Sequence, residues 1–445
     1  MNTPSFFKRI IRSVVDPDKR ARANRKARQV VELCRSLLSE SGEVSGAALA
    51  RETLAACHNL PEIALPAFFD LLASEFSPDP QELTRACQDY CAQPSPDSLI
   101  RLFHLVEPPR QELFRRLNMA TGGTAALVGM REKLLAALKA HPEWKGIDVD
   151  LAHLFSSWFN RGFLTLERID WHTPAIILEQ LIKYEAVHEI TGWPDLQRRL
   201  EADRRCFAFF HPALPDEPLI FIEVALTRGM SAAVQPLLDL GSAVSDPQSA
   251  DTAIFYSITN CQRGLRSISF GNLLIKQVAQ ELGREFPRIK TYATLSPVPG
   301  FRSWLASAQE QLAATAAGRT AVEALKLLEE PEWFKRADSA ERVQKHLVPL
   351  AAYYLVYAKS NDEPVDGVAR FHLGNGARLE RLNWLADTSK HGMQRSAGLM
   401  ANYQYRLDDV ENNHEIYVKE HRVVASPKLK KLARECPLSQ PAGKR

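Results

Sequence analysis

Apolar positions in the first third of the chain recur every three or four residues, the period of helices that bury one face. Val30, Val31, Cys34, Leu37 and Leu38 make one such face, and Leu49, Leu54 and Ala55 a second. Ile63, Leu65, Phe68, Phe69 and Leu72 follow, then Leu99, Leu102, Phe103 and Leu105, then Leu113 and Leu117. Ser41-Gly42, Pro78-Asp79-Pro80, Pro94-Ser95-Pro96 and Pro108-Pro109 punctuate them, each a sequence that stops or starts a helix. The pattern predicts a helical bundle from Arg22 to Phe155 with no fixed-period repeat.

The pattern changes near Trp158. Cys206–Phe210 and Leu219–Leu226 are strand-like runs joined by His211–Pro218, a hairpin with a long loop. A helix is expected over Ser231–Leu240 and a buried strand over Ala253–Thr259. After a loop bearing Gly264 and Gly271, a helix is expected over Asn272–Arg284 and a short strand over Lys290–Leu295. Gly300–Ala316, Ala321–Leu328 and Ser339–Lys359 read as helix. Val368–Leu373 and Leu379–Trp384 read as strand, with His372 at a strand end beside an Asn375-Gly376 turn. The fold class is therefore α+β: a helical bundle at 1–157, a mixed-sheet domain at 158–435 and a tail at 436–445.

Composition narrows this reading. A chain of 445 residues exceeds one ordinary core, so two or three domains are expected. Its 45% hydrophobic and 24% charged residues suit a soluble globular protein. A net charge of +3 argues against a dedicated nucleic-acid binder. Seven irregularly spaced cysteines suggest reduced thiols in a cytosolic compartment. Cys87 and Cys91, the only close pair, read as core thiols on one helix rather than zinc ligands. No apolar run reaches the roughly 18 residues that a membrane span needs. Met1–Lys26 reads as a basic arm. Phe6-Phe7-Lys8-Arg9-Ile10-Ile11-Arg12 has a transit-peptide look, but Asp16 and Asp18 interrupt it and no cleavage site follows. A cytoplasmic location is expected, with mitochondrial import the lesser reading.

The strand, loop and helix from Ala253 to Arg284 form a unit that can hold an anion. The first amides of a helix lack partners, and the helix dipole favours negative charge there. The loop is not a Walker A motif, because no Gly-Lys-Ser/Thr follows, and it lacks Gly-x-Gly-x-x-Gly. Most loops with two glycines only turn the chain. A lone histidine such as His372 is likewise more often structural than catalytic.

Several stretches together resemble the malonyl-CoA decarboxylase family. They are Arg205–Pro212, Glu217–Leu219 through Thr227, Phe255–Ile258 and Gln262–Leu265. They continue with Leu295-Ser296-Pro297-Val298-Pro299-Gly300-Phe301, Phe371-His372-Leu373-Gly374-Asn375-Gly376-Ala377, Asn383–Asp387 and Gly398–Tyr405. The resemblance implies a helical oligomerisation domain ahead of an acetyltransferase-like (GNAT) catalytic domain. It implies conversion of malonyl-CoA to acetyl-CoA and carbon dioxide without a metal or organic cofactor, CoA being part of the substrate. The family's catalytic serine, histidine and tyrosine fall on Ser296, His372 and Tyr405. A glutamate of some members falls on Ser269. The CoA contacts fall on Arg266, Ser267, Ile268, Ser269, Phe270, Gly271, Asn272 and Ile275, together with Ser296 and His372. A homo-oligomer is implied, and neither nucleic acid nor membrane as partner. Two alternatives stay open: a CoA-dependent acyltransferase on the same fold, and a non-catalytic helical interaction protein.

Overall fold

Proline and capping residues set the helix boundaries in the first half of the chain. The computed structural model describes residues 17–268 and 274–439. Helices α1 (Pro17–Ser39), α2 (Glu43–His58), α3 (Leu65–Glu75), α4 (Pro80–Ala92) and α5 (Pro96–Val106) come first. Then come α6 (Pro109–Asn118), α7 (Gly123–Ala137) and α8 (Lys145–Trp158). Asp79 caps α4 by accepting from the Gln81 and Glu82 amides, and Ser95 forms a capping box with Ser98 on α5. Helices α4, α5 and α6 each carry Pro in the first turn, where its missing N–H costs nothing.

By internal contacts the chain divides into two units. The first runs to Leu164 and also takes His211–Pro215 and the segment from Gln262. The expected α1 face is buried at Val30, Val31, Cys34 and Leu37. Phe69 and Trp144 pack with ring centroids 5.1 Å apart, and Phe114, Phe155 and Phe159 are fully buried. Each such side chain contributes about 1.5–3 kcal/mol of burial. Two expectations fail here. Leu99 and Phe103 do not join the core: α5 buries no residue and packs chiefly on α4. Leu99, Ile100, Phe103 and Val106 are 49%, 54%, 69% and 52% exposed, so the helical period is real but its apolar face is uncovered within this unit. Cys87 and Cys91 are exposed on α4 rather than buried, and all seven cysteines are free.

The second unit is built on a sheet. Its elements are β1 (Thr165–Ile169), α9 (Ala175–Tyr184), α10 (Trp193–Arg199), β2 (Arg204–Phe210), β3 (Ile220–Thr227) and α11 (Gln235–Leu238). They continue with β4 (Thr252–Asn260), α12 (Leu274–Glu285), β5 (Thr291–Thr294), β6 (Ser296–Pro297), α13 (Phe301–Ser307), α14 (Gln309–Ala313) and α15 (Ala316–Leu325). After α16 (Ala337–Val356) come the short strands β7 (Lys359–Ser360) and β8 (Glu363–Pro364), α17 (Gly367–Gly374) and β9 (Arg378–Asn383). Last are α18 (Lys390–Ser396), β10 (Met400–Gln404), α19 (Val410–Glu420) and α20 (Pro427–Arg434). Within the described residues the sheet order is β1-β2-β3-β4-β5-β10-β6, with β9 on β10. Every pairing is antiparallel except β4–β5. Parallel neighbours need a crossover, and α12 lies between them in the chain. A run of antiparallel strands leading into one parallel pair is the acetyltransferase-like arrangement, so the fold is α+β, helical first and mixed-sheet second.

Two expected elements differ. Ser231–Leu240 holds only the single turn α11, since Pro236 forbids a helix running through it. Val368–Leu373 is helix, not strand. Asp366 caps α17 by accepting from the Ala369 amide at 2.9 Å, and helical spacing buries Ala369, His372 and Leu373 together. A six-residue stretch with four apolar positions cannot by itself tell strand from helix. Gly376 follows with φ +78°, and a Cβ there would lie 2.0 Å from the Val410 carbonyl oxygen, so only glycine fits.

Candidate active site

The sheet opens where β5 ends. Gln404 faces Ala293 and Ala401 faces Ser296, so unbroken register would pair Tyr403 with Thr294. Side chains take the place of the ladder there. The Tyr403 amide donates to Thr294 Oγ1 at 3.1 Å, and Asn402 Nδ2 donates to the Thr294 carbonyl at 2.6 Å. Thr294, Asn402 and Tyr403 are completely buried. Ser296 emerges just beyond this opening.

His372 reaches it from the last turn of α17. Its Nε2 is 2.9 Å from Ser296 Oγ, and its Nδ1 is 2.8 Å from the Tyr405 hydroxyl. Ser296 Oγ donates to Thr294 Oγ1 at 2.9 Å. The Tyr403 ring stacks on the imidazole, with centroids 4.6 Å apart. Ser296, His372 and Tyr405 are all buried. Burial disfavours the charged form of an imidazole and pushes His372 down to about 3. The same cause raises Tyr405 and Tyr403 well above the ordinary phenol value. At neutral pH the relay is uncharged.

A cavity of about 200 Å³ opens onto the pair, walled by Val187, Phe255, Ile258, Asn260 and Phe371. That is below the size of a drug-like ligand site and suits a short acyl end. A more polar cavity of about 700 Å³ shares Val187, Pro297 and Val368 with it. Its lining includes Arg199, bonded to Asp195 at 2.9 Å and Glu223 at 2.7 Å. Glu185 is also there, accepting from the Val187 and His188 amides and from Ser257. Glu185 thus shapes the turn that carries Val187 to the wall of the smaller cavity.

The expected CoA loop is described only to Ile268; Ser269, Phe270, Gly271 and Asn272 lie outside the described residues. Arg266 and Ser267 are exposed, Ile268 is buried, and Ser267 adopts φ +66°. These residues belong to the helical unit. A Cβ on Gly264 would lie 2.0 Å from the Val128 carbonyl oxygen, so this glycine permits close packing on α7. Arg131 of α7 donates to the Gly264 carbonyl at 2.7 Å and the Arg266 carbonyl at 3.0 Å, and pairs with Asp148 at 2.8 Å. Ile275 is buried on α12, and Lys276 pairs with Glu411 at 2.8 Å. Among the described residues one group has metal-ligand spacing: Asp70, His141 and Glu143 in the helical unit. It is partly engaged already, since His141 Nδ1 contacts Glu143 and Trp144 donates to Asp70.

The structure therefore joins Ser296, His372 and Tyr405, and leaves the loop residues with the helices. Sequence reasoning missed Thr294, Asn402, Val187 and Asn260. For Thr294 a signal existed: Thr294-Leu295-Ser296 puts the threonine and serine two apart, on one face of an extended chain. No local signal marks Val187, which a distant turn delivers.

A helical unit followed by an acetyltransferase-like sheet with a buried serine–histidine–tyrosine hydrogen-bond chain is the architecture of an α+β enzyme. Residues 162–442 match the family model for the malonyl-CoA decarboxylase C-terminal domain, and residues 76–159 that for the N-terminal domain. The mitochondrial malonyl-CoA decarboxylase of Anser anser anser is 36% identical over 353 residues, covering 74% of this chain and 70% of that protein. The Rattus norvegicus protein of the same name is 35% identical, covering 74% and 72%. The crystal structure of malonyl-CoA decarboxylase from Rhodopseudomonas palustris aligns with TM-score 0.87 at 51% identity, covering 91% of this chain and 99% of that one. The one from Cupriavidus metallidurans aligns with TM-score 0.70 at 33% identity, covering 92% and 100%. The chain belongs to the malonyl-CoA decarboxylase family, a family of carboxy-lyases.

Proposed function

We propose that this chain decarboxylates malonyl-CoA to acetyl-CoA and carbon dioxide. Ser296 and His372 act as the acid/base pair, and the 262–272 loop binds CoA. The observation that carries the reading is the buried hydrogen-bond chain Tyr405–His372–Ser296, whose Ser296 and His372 line a cavity of about 200 Å³.

Breaking the bond to carbon dioxide sends an electron pair into the thioester, leaving the enolate of acetyl-CoA. The thioester is its own electron sink, so the reading calls for no cofactor or metal. The enolate needs one proton at its α-carbon, and a positioned histidine can deliver it. His372 is neutral while the site is empty. A malonyl carboxylate beside it favours the charged ring, so the substrate itself draws a proton onto the imidazole. His372 then gives its Nε2 proton to the α-carbon, and a new proton arrives with the next substrate. Ser296 orients the ring without forming a covalent bond. Tyr405 holds Nδ1.

The loop reading rests on the anchoring of Gly264 and Arg266 by Arg131, which fixes backbone ahead of α12. The uncovered apolar face of α5 supports a homo-oligomer formed through the helical region. No described helix is long and apolar enough to cross a membrane. From seven irregularly spaced cysteines, taken as reduced thiols, we read the protein as cytoplasmic.

The test is to incubate the purified protein with malonyl-CoA and no acyl acceptor, following carbon dioxide and acetyl-CoA with and without a chelator. Both products should form at the same rate in both arms. Absence of carbon dioxide rejects the reaction. Loss of activity on chelation, restored by a divalent ion, rejects the metal-free mechanism. A malonyl adduct on Ser296 during turnover rejects the non-covalent role.

A further inference from the structure

Thr294 decides which way the serine–histidine hydrogen bond runs. A serine hydroxyl has one proton, and Ser296 spends it on Thr294 Oγ1 at 2.9 Å. Toward His372, Ser296 can then only accept, so the hydrogen at that 2.9 Å contact sits on Nε2. The neutral ring keeps its lone pair on Nδ1, where the Tyr405 hydroxyl donates at 2.8 Å. The chain of donors runs from Tyr405 to His372 to Ser296 to Thr294. Its end is fixed, because Thr294 is fully buried, takes the Tyr403 amide on the same oxygen and is gripped at its carbonyl by Asn402.

The direction has chemical consequences. Reversed, the same two side chains are a nucleophile and its base: a serine that donates to histidine is activated to attack a carbonyl. Attack on malonyl-CoA would form an Oγ–C bond and break the C–S bond. The serine proton would pass through Nε2 to the departing CoA thiolate. Water would then cleave the acyl-serine to malonate and free serine. Decarboxylation leaves the C–S bond intact, so a serine pointing at Thr294 protects the thioester.

We propose that Thr294 is a specificity-determining residue: by accepting the Ser296 proton it keeps the Ser296–His372 pair proton-donating and suppresses thioester hydrolysis. This rests on the decarboxylase reading above.

The experiment compares wild type, Thr294→Val and Thr294→Ser with malonyl-CoA, quantifying acetyl-CoA against free CoA plus malonate. Valine keeps the shape and removes the acceptor, while serine restores it. In Thr294→Val, kcat for acetyl-CoA should fall at least about tenfold, the size expected for one lost buried hydrogen bond, with little change in KM. The share of product appearing as free CoA should rise, and Thr294→Ser should return the wild-type partition. A merely structural lesion slows both products without changing their ratio. A folded Thr294→Val with the wild-type ratio overturns the inference while wild-type turnover stands. Wild type that yields no acetyl-CoA fails the parent reading instead. If the valine variant does not fold, the ¹⁵N shifts of the His372 ring in wild type decide, assigned against His372→Gln. A protonated Nε2 with bare Nδ1 supports the chain of donors, and the opposite tautomer overturns it.

Discussion

Ser296 Oγ and His372 Nε2 lie 2.9 Å apart, although 76 positions separate the two residues. One stands at the end of an opened sheet and the other on the last turn of a capped helix, so two rigid elements fix the contact. A pair held this way should act as one unit. His372→Ala should lower kcat by roughly 10²–10⁴-fold, the usual contribution of a positioned acid–base group. Ser296→Ala should also lose rate. The double variant should be little worse than the worse single one, because coupled groups are not additive. Steady-state kinetics check this, and a fully active His372→Ala removes the site assignment.

The apolar face of α5 predicts a measurable change of assembly. Phe103 is 69% exposed at the centre of a face shared with Leu99, Ile100 and Val106. Burying such a patch against a second copy removes it from water. Phe103→Glu should shift light-scattering mass toward the monomer without lowering helix content. An unchanged mass places the interface elsewhere.

How legible the protein was depended on how locally each feature is determined. Strands β2, β3 and β4 could be read directly because Arg204–Phe210, Ile220–Thr227 and Thr252–Asn260 are β-branched and aromatic runs buried almost throughout. The α17 helix could not, because its helicity comes from the Asp366 cap rather than from the composition of Val368–Leu373. The exposure of α5 was equally hidden, since periodicity shows that a face exists and not what covers it. Ser296, His372 and Tyr405 were reached through resemblance. Their geometry depends on Thr294 and Asn402 replacing a backbone ladder, which no spacing rule describes.

The anchoring of the loop by Arg131 predicts a split in the kinetic constants. Its guanidinium is buried and serves the Gly264 and Arg266 carbonyls and Asp148 at once. Arg131→Met leaves those acceptors unsatisfied, at a cost of about 1–3 kcal/mol in stability. If the loop binds CoA, KM for malonyl-CoA should rise roughly tenfold, about 1.4 kcal/mol, while kcat stays nearly constant. Calorimetric CoA affinity unchanged in a folded Arg131→Met removes the loop from the binding site.

Burial of histidines predicts loss of stability in mild acid. Desolvation holds His372 at about 3 and His188 at about 4 in the folded protein. A free histidine titrates near 6.5. Between about 4 and 6.5, therefore, the unfolded chain binds protons at these positions and the folded chain does not. Stability is fully present above 6.5 and is lost as pH falls through that window. The slope is about 1.4 kcal/mol per pH unit for each group, so His188 alone accounts for about 2 kcal/mol between pH 6.5 and 5. His188→Gln removes one of these titrations without touching the Ser296–His372 pair. Urea midpoints of wild type and His188→Gln should therefore converge as pH drops from 7 to 5, with wild type losing more. Taking the difference between the two proteins isolates this histidine from every other titrating group. Parallel losses in both would mean that His188 is protonated in the folded state, and that burial does not hold it neutral.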